Sequence, residues 1–283
     1  VAEVNRCMPA TRGIAEHGGH RIHFSAVDII VEHDQPLTAL PVGEASDEDR
    51  RIARLVEELV PDGATLQFGI GGVPNEIAKL LAAGPRGDFG IHTEMLVDGV
   101  RALHDAGKVT NRKGTYDGFS VCTFALGSAD LYAWAGAEPQ VRFLPVSAIN
   151  FPSVIALNRR VVSINSALMI DLHGQVVADT IAGRQYSGIG GHEAFVTGGR
   201  EAEGGKSILC LYATVTLRGE KRSRIVPTLP PGSIVTTPRH QVNYVATEHG
   251  VVNLFGMTDR ERREALISIA APELREELRA SST

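Results

Sequence analysis

Apolar positions recur at helical spacing after Ser46: Ile52, Leu55, Val56 and Leu59 form one stripe, and Pro61-Asp62-Gly63 ends it. Ser46 supplies an N-cap, and Asp47, Glu48 and Asp49 place negative charge in the first turn, where the helix dipole favours it. The pattern then alternates. Residues 64–70 predict a buried strand, 74–83 a helix, 87–91 an extended segment leading into a turn, and 95–106 a helix. Further strands are predicted at 118–124, 141–145, 161–164, 208–212 and 234–236, and 259–278 reads as an amphipathic helix broken at Pro272. Strands alternating with helices predict an α/β fold: an open, mainly parallel sheet with flanking helices. The first 45 residues differ. An alternating run at 21–27 predicts one strand, set between a Gly/His stretch at 16–20 and a linker-like composition at 32–43. This segment reads as the tail of something that precedes it.

Composition narrows the function classes. The chain has 283 residues with 28 Lys+Arg against 33 Asp+Glu, a net charge of −5, so it lacks the broad basic surface of a general nucleic-acid binder. No run approaches the roughly 18 apolar residues of a membrane span, so no membrane partner is expected. Cys7, Cys122 and Cys210 are few, odd in number and far apart. That argues against a disulfide scaffold or a thiolate zinc site and fits a reducing, cytoplasmic location.

Among the 30 glycines, three clusters fall where ligands could approach the backbone. Gly69-Ile70-Gly71-Gly72 sits between a predicted strand and helix, though Pro74 stands where the dinucleotide fingerprint needs its third glycine. Gly188-Ile189-Gly190-Gly191-His192 can turn successive N–H groups toward an oxyanion; a plain turn fits the glycines equally well. In the third cluster, residues 198–207, Arg200 occupies the position where a P-loop requires glycine, which excludes an ATPase of that type. His17, His20 and His23 need not share a face, so no metal site is expected. Lys221-Arg222-Ser223-Arg224 and Arg239-His240 are short basic clusters, solvated or paired with phosphates. Glu94 stands out by placement, just beyond a predicted buried strand and before a helix, where open parallel sheets bind ligands. A carboxylate there can act as nucleophile, general base, metal ligand or helix cap.

Taken in order, the blocks Val4-Asn5, Met8-Pro9, Leu66-Gln67-Phe68-Gly69-Ile70-Gly71, His92-Thr93-Glu94-Met95, Asp98-Gly99 and Val109-Thr110-Asn111 resemble one family. So do Ser163-Ile164-Asn165-Ser166, Asp171-Leu172-His173-Gly174, Ser187-Gly188-Ile189-Gly190-Gly191, Gly205-Lys206-Ser207, Ser223-Arg224-Ile225-Val226-Pro227 and Thr247-Glu248-His249-Gly250. The chain resembles the acetyl-CoA hydrolase/transferase family, in particular the 4-hydroxybutyrate CoA-transferase type of the glutamate-dependent CoA-transferases. The sequence departs from the family pattern at His192, Ala194, Gln241 and His249.

The resemblance implies a CoA-transferase fold of the NagB-like type. Residues 1–45 would then be a linker and remnant of a missing N-terminal domain, and 46–283 a C-terminal catalytic domain, with the active site between the two halves. It implies Glu94 as nucleophile, with CoA moving between an acyl-CoA and a small carboxylic acid through a glutamyl-CoA thioester. Gly190 and Gly191 would assist catalysis. Gly69, Gly71, Gly72, Gly188, Ile189, His192, Lys206 and Arg224 would contact CoA or substrate, and Arg222 and Arg239 are further candidates for its phosphates. Coenzyme A enters as a substrate, with no permanently bound cofactor, and a homo-oligomer is expected. An acyl-CoA hydrolase using the same glutamate and a non-catalytic CoA-binding fragment are the alternatives. An exposed apolar face is expected where the other domain would dock.

Overall fold

The computed structural model describes residues 1–17, 22–40 and 43–281. At its centre is a six-stranded sheet in the order Gly250–Asn253, Tyr244–Thr247, Lys206–Cys210, Val161–Ser166, Thr65–Phe68, Gly90–Ile91. Only the first pair is antiparallel. Thr65 lies opposite both Val161 and Gly90, and Leu66 opposite Val162 and Ile91, so these strands begin together. Every residue of Thr65–Phe68 is buried, as expected for a parallel strand covered on both faces. Past Ile91, a bridge from His92 to Val121 carries the parallel alignment onto the paired strands Ser120–Cys122 and Val141–Phe143.

Helices cover both faces. The first, Asp47–Glu57, begins with a capping box: the Ser46 hydroxyl accepts from Asp49 N–H and the Asp49 carboxylate from Ser46 N–H. Its Ile52 and Val56 pack with Leu66, Phe68, Ile77 and Leu81 in one core. A second core on the opposite face joins Ile170, Val196, Leu209, Val245, Leu266 and Ile267. The mainly parallel α/β architecture is the one the pattern predicts. Among the described residues, no helix is long and apolar enough to cross a membrane.

Several elements differ from the sequence expectation, each for a local reason. Met95–Leu96 is a strand paired with Phe124–Ala125, and the helix begins at Asp98, because tertiary pairing overrides a helical period. Residues 234–236 form no strand; Ile234 and Val235 are exposed, and only Thr237 bridges to Val176. Pro230, Pro231 and Pro238 flank that stretch and deny it a ladder. In place of the strand expected at 21–27 there is a 3-10 turn, Phe24–Ala26, capped by His23; its side chains are exposed, so the alternation has no sheet to bury it. Arg21 lies outside the described residues. Within 1–40, Ala2–Val4 pairs in parallel with Ile30–Glu32, and Arg12 O and Leu40 N–H bond to Phe143 N–H and Gly127 O at 2.7 and 2.9 Å. The C-terminal helix divides into Asp259–Ser268, a 3-10 turn Pro272–Leu274 and Arg275–Ala280.

Candidate active site

Glu94 sits in the bend between Gly90–Ile91 and Met95–Leu96, at the carboxyl end of the parallel strands. Its backbone is fixed first. The Glu94 carbonyl accepts from Thr123 N–H at 2.8 Å and Phe124 N–H at 3.2 Å, bonds made where the neighbouring strand Ser120–Cys122 runs out. The half-buried carboxylate is then held at both oxygens. Asn150 Nδ2 donates to Oε1 at 3.0 Å, and Gly191 N–H donates to Oε2 at 2.7 Å.

Gly191 is the N-cap of the helix His192–Glu201, so its N–H stands at the positive end of a helix dipole. The residue must be glycine in this geometry. A Cβ there would lie 2.7 Å from Glu94 Oε2 and 2.8 Å from Asn150 Nδ2. Gly190, at φ +54°, turns the chain into that helix through the left-handed region. Of the glycine pair expected at an oxyanion, Gly191 is the one whose N–H reaches Glu94.

The remaining expected site residues divide. Gly188 and Ile189 are exposed on the approach to Gly191. The His192 ring is directed to Thr237, with Nε2 3.0 Å from a hydroxyl that itself donates to Glu193, and burial lowers its pKa to about 4. Gly69 packs against the neighbouring strand, its N–H donating to Ile164 O at 2.8 Å. A Cβ at Gly72 would collide with the Asp49 carboxylate, so an anion at that turn would meet like charge. Arg224 lies over the Tyr212 ring, 5.8 Å from its centroid, in a cavity of about 160 Å³ with Asp49, Gly71, Gly72 and Ser166. Lys206 is at the opposite, amino end of the sheet, where its ammonium donates to Leu59 O at 2.7 Å. Lys221, Arg222 and Arg239 pair with Glu273, Glu220 and Asp259. His20 lies outside the described residues; His23 Nδ1 is 2.7 Å from Ser25 Oγ.

Asn150 was not legible as a site residue. It stands 56 positions from Glu94, at the end of the short helix Val146–Ile149, in no motif of its own. The one local signal is its place directly before Phe151-Pro152, where Pro152 opens the next helix and forces the chain to turn. Exposed apolar side chains adjoin each group around the carboxylate: Phe124, Phe151 and Ile189 are 42%, 56% and 50% exposed.

The chain is similar to known CoA transferases along nearly its whole length. The chain is 43% identical to a succinyl-CoA:cyclohexane-1-carboxylate CoA transferase of Geobacter metallireducens over 98% of its own length and 62% of the relative's. It is also 43% identical to a 4-hydroxybutyrate coenzyme A transferase of Clostridium kluyveri, over 98% and 63%. Among solved structures, RipA from Yersinia pestis superposes with a TM-score of 0.90 at 42% identity, covering 99% of this chain and 62% of that one. The chain thus spans about three-fifths of the length of these relatives. The family model for the acetyl-CoA hydrolase/transferase C-terminal domain matches residues 127–282, and the chain belongs to that family.

Proposed function

We propose that this chain carries the nucleophile of an acyl-CoA:carboxylate CoA-transferase, and that the nucleophile is Glu94. The observation that carries the reading is the pair of fixed donors, Asn150 Nδ2 and Gly191 N–H, one on each carboxylate oxygen. A Glu94 oxygen attacks the thioester carbonyl of an acyl-CoA; the C–S bond breaks, giving a mixed anhydride and CoA thiolate. The thiolate attacks Cδ of Glu94, and the anhydride C–O bond breaks to release the first carboxylate and leave a glutamyl-CoA thioester. A second carboxylate attacks that thioester, and the same two steps run in reverse. Covalent catalysis conserves the thioester's energy through the exchange. Each attack on Cδ places negative charge on an oxygen already facing a donor, so the stabilisation needs no reorganisation.

Gly188, Ile189 and Gly190 border the approach to Glu94 and are proposed to contact the acyl-CoA arm, with Arg224 a candidate for its phosphates. The exposed Phe124, Phe151 and Ile189 suit the docking of a further protein layer over the site, as the family resemblance implies. The hydrolase alternative needs only that water take the place of the acceptor acid. Incubation with acetyl-CoA, butyryl-CoA or succinyl-CoA, with and without acetate or succinate, separates the readings. Acceptor-dependent transfer supports the transferase; thiol release indifferent to the acceptor supports the hydrolase. Neither activity, with Glu94 unmodified, removes both.

A further inference from the structure

His92 lies two residues before Glu94 and is 1% exposed, its ring centroid 6.1 Å from those of both Tyr116 and Phe195. Both ring nitrogens are occupied. Nε2 is 2.9 Å from the Ile149 carbonyl, which can only accept, so Nε2 carries the proton and donates. Nδ1 accepts from Asn158 Nδ2 at 3.2 Å, and the orientation of that amide is set by its other bond, 3.1 Å to Ile155 O. Protonating Nδ1 would set two donors face to face in a buried site. Burial, with the Lys113 ammonium nearby, lowers the ring's pKa to about 4. The titratable groups around it are Lys113, Tyr116 and Glu94, and none offers a carboxylate bond to the ring.

The carbonyl that His92 holds belongs to Ile149, the residue joined to Asn150. One position earlier, Ala148 O accepts from the Tyr116 hydroxyl at 3.2 Å. Successive carbonyls of Val146–Ile149 are therefore tied down just before the amide that meets Glu94 Oε1. On the other side, Phe195, against which the ring packs, donates its N–H to Gly191 O at 2.9 Å, in the helix turn that presents Gly191 to Oε2. Packing alone would be served by a phenylalanine at this position; the polar bonds are what link the ring to Asn150.

We propose that His92 is a positioning residue: a neutral imidazole that fixes Asn150 through the Ile149 carbonyl, and through Asn150 the aim of the Glu94 carboxylate. This rests on the reading of Glu94 as nucleophile, but its geometric part can be tested without turnover. In the wild-type chain the Asn150 side-chain amide resonances, assigned with Asn150→Ala, should move on Glu94→Gln, because the groups are bonded. In His92→Phe that movement should fall to less than about half, while the Gly191 amide still responds. In rate measurements with acyl-CoA, His92→Phe should lose roughly 10- to 100-fold in formation of the Glu94 thioester at saturation, with half-saturation changed less than about threefold. The loss should be the same from about pH 6 to pH 9, since a neutral ring has nothing to titrate there.

His92→Gln keeps a donor for Ile149 O and should recover most of the rate; His92→Leu, which has no donor, takes the place of the phenylalanine variant if that one does not fold. An Asn150 response to Glu94→Gln that is unchanged in whichever of His92→Phe and His92→Leu folds overturns the proposal. So does a folded phenylalanine variant whose thioester rate lies within about twofold of wild type. Wild-type protein with no label on Glu94 would remove the nucleophile reading instead, and the Asn150 resonances would still decide the role of His92.

Discussion

At the scale of single residues, the carboxylate of Glu94 is held by donors of unlike origin, an amide side chain and a main-chain N–H. The main-chain donor makes a sharp prediction. Gly191→Ala places a methyl group within 2.7 Å of Glu94 Oε2, so it must displace the carboxylate or the helix start. Thioester formation should fall roughly 100- to 1,000-fold, in line with loss of an oxyanion donor, while cooperative unfolding is kept. Activity within about tenfold of wild type would show that the Gly191 N–H is not used. Asn150→Ala, which leaves that N–H in place, should lose less than Gly191→Ala. Glu94 and the glycine pair were legible because each sits in a local pattern: an acid after a buried strand, and adjacent glycines before a helix. Asn150 and the partners of His92 were not, since their contacts join positions 56, 57 and 66 residues apart that share no periodicity.

At the scale of elements, what could be read depended on whether an element carries its own signal. The Asp47–Glu57 helix does, in its apolar stripe and capping residues; Ser46→Ala should lower stability by about 1 kcal/mol in urea titrations, since it removes the acceptor for Asp49 N–H. A loss under about 0.3 kcal/mol would mean the cap is replaced by solvent. The parallel strand Thr65–Phe68 also carries a signal, in the apolar Leu66 and Phe68 set just before a glycine-rich turn. The hairpin Thr214–Leu217 with Glu220–Ser223 does not, because its strands, the second of them charged, have no fully buried residue and its turn rests on Arg218-Gly219, both at positive φ. Met95–Leu96 was masked in the opposite way, by a helical period continuing into Asp98–Asp105. That difference matters, for the strand pairing with Phe124–Ala125 anchors the backbone on one side of Glu94.

At the scale of the whole molecule, three basic groups, His92 and Lys113 buried and His192 half-buried, tie stability to pH. Burial lowers His92 and His192 to about 4 from 6.5, so between those values the unfolded chain binds more protons. Their contribution is present above about pH 6.5 and is lost as pH falls toward 4, each changing stability by about 1.4 kcal/mol per pH unit at most. Urea midpoints should therefore drop from pH 7 to pH 5, and by less in His92→Gln. Lys113, 1% exposed and donating to Tyr116 O and Phe119 O at 2.6 and 2.8 Å, is lowered by burial to about 7 from 10.5. The unfolded chain again binds more protons between those values, so Lys113 adds stability as pH rises from 7 toward 10.5. The difference in urea midpoint between wild type and Lys113→Met should accordingly shift in favour of wild type between about pH 7 and pH 9; a constant difference would place the lysine outside this linkage. The most direct test of the central claim is chemical. The chain is incubated with acyl-CoA, treated with borohydride, and mapped by peptide mass spectrometry. Reduction of the Glu94 carboxyl to an alcohol, absent without acyl-CoA and absent in Glu94→Ala, is the result predicted; an unmodified Glu94 in protein that turns over acyl-CoA would contradict it.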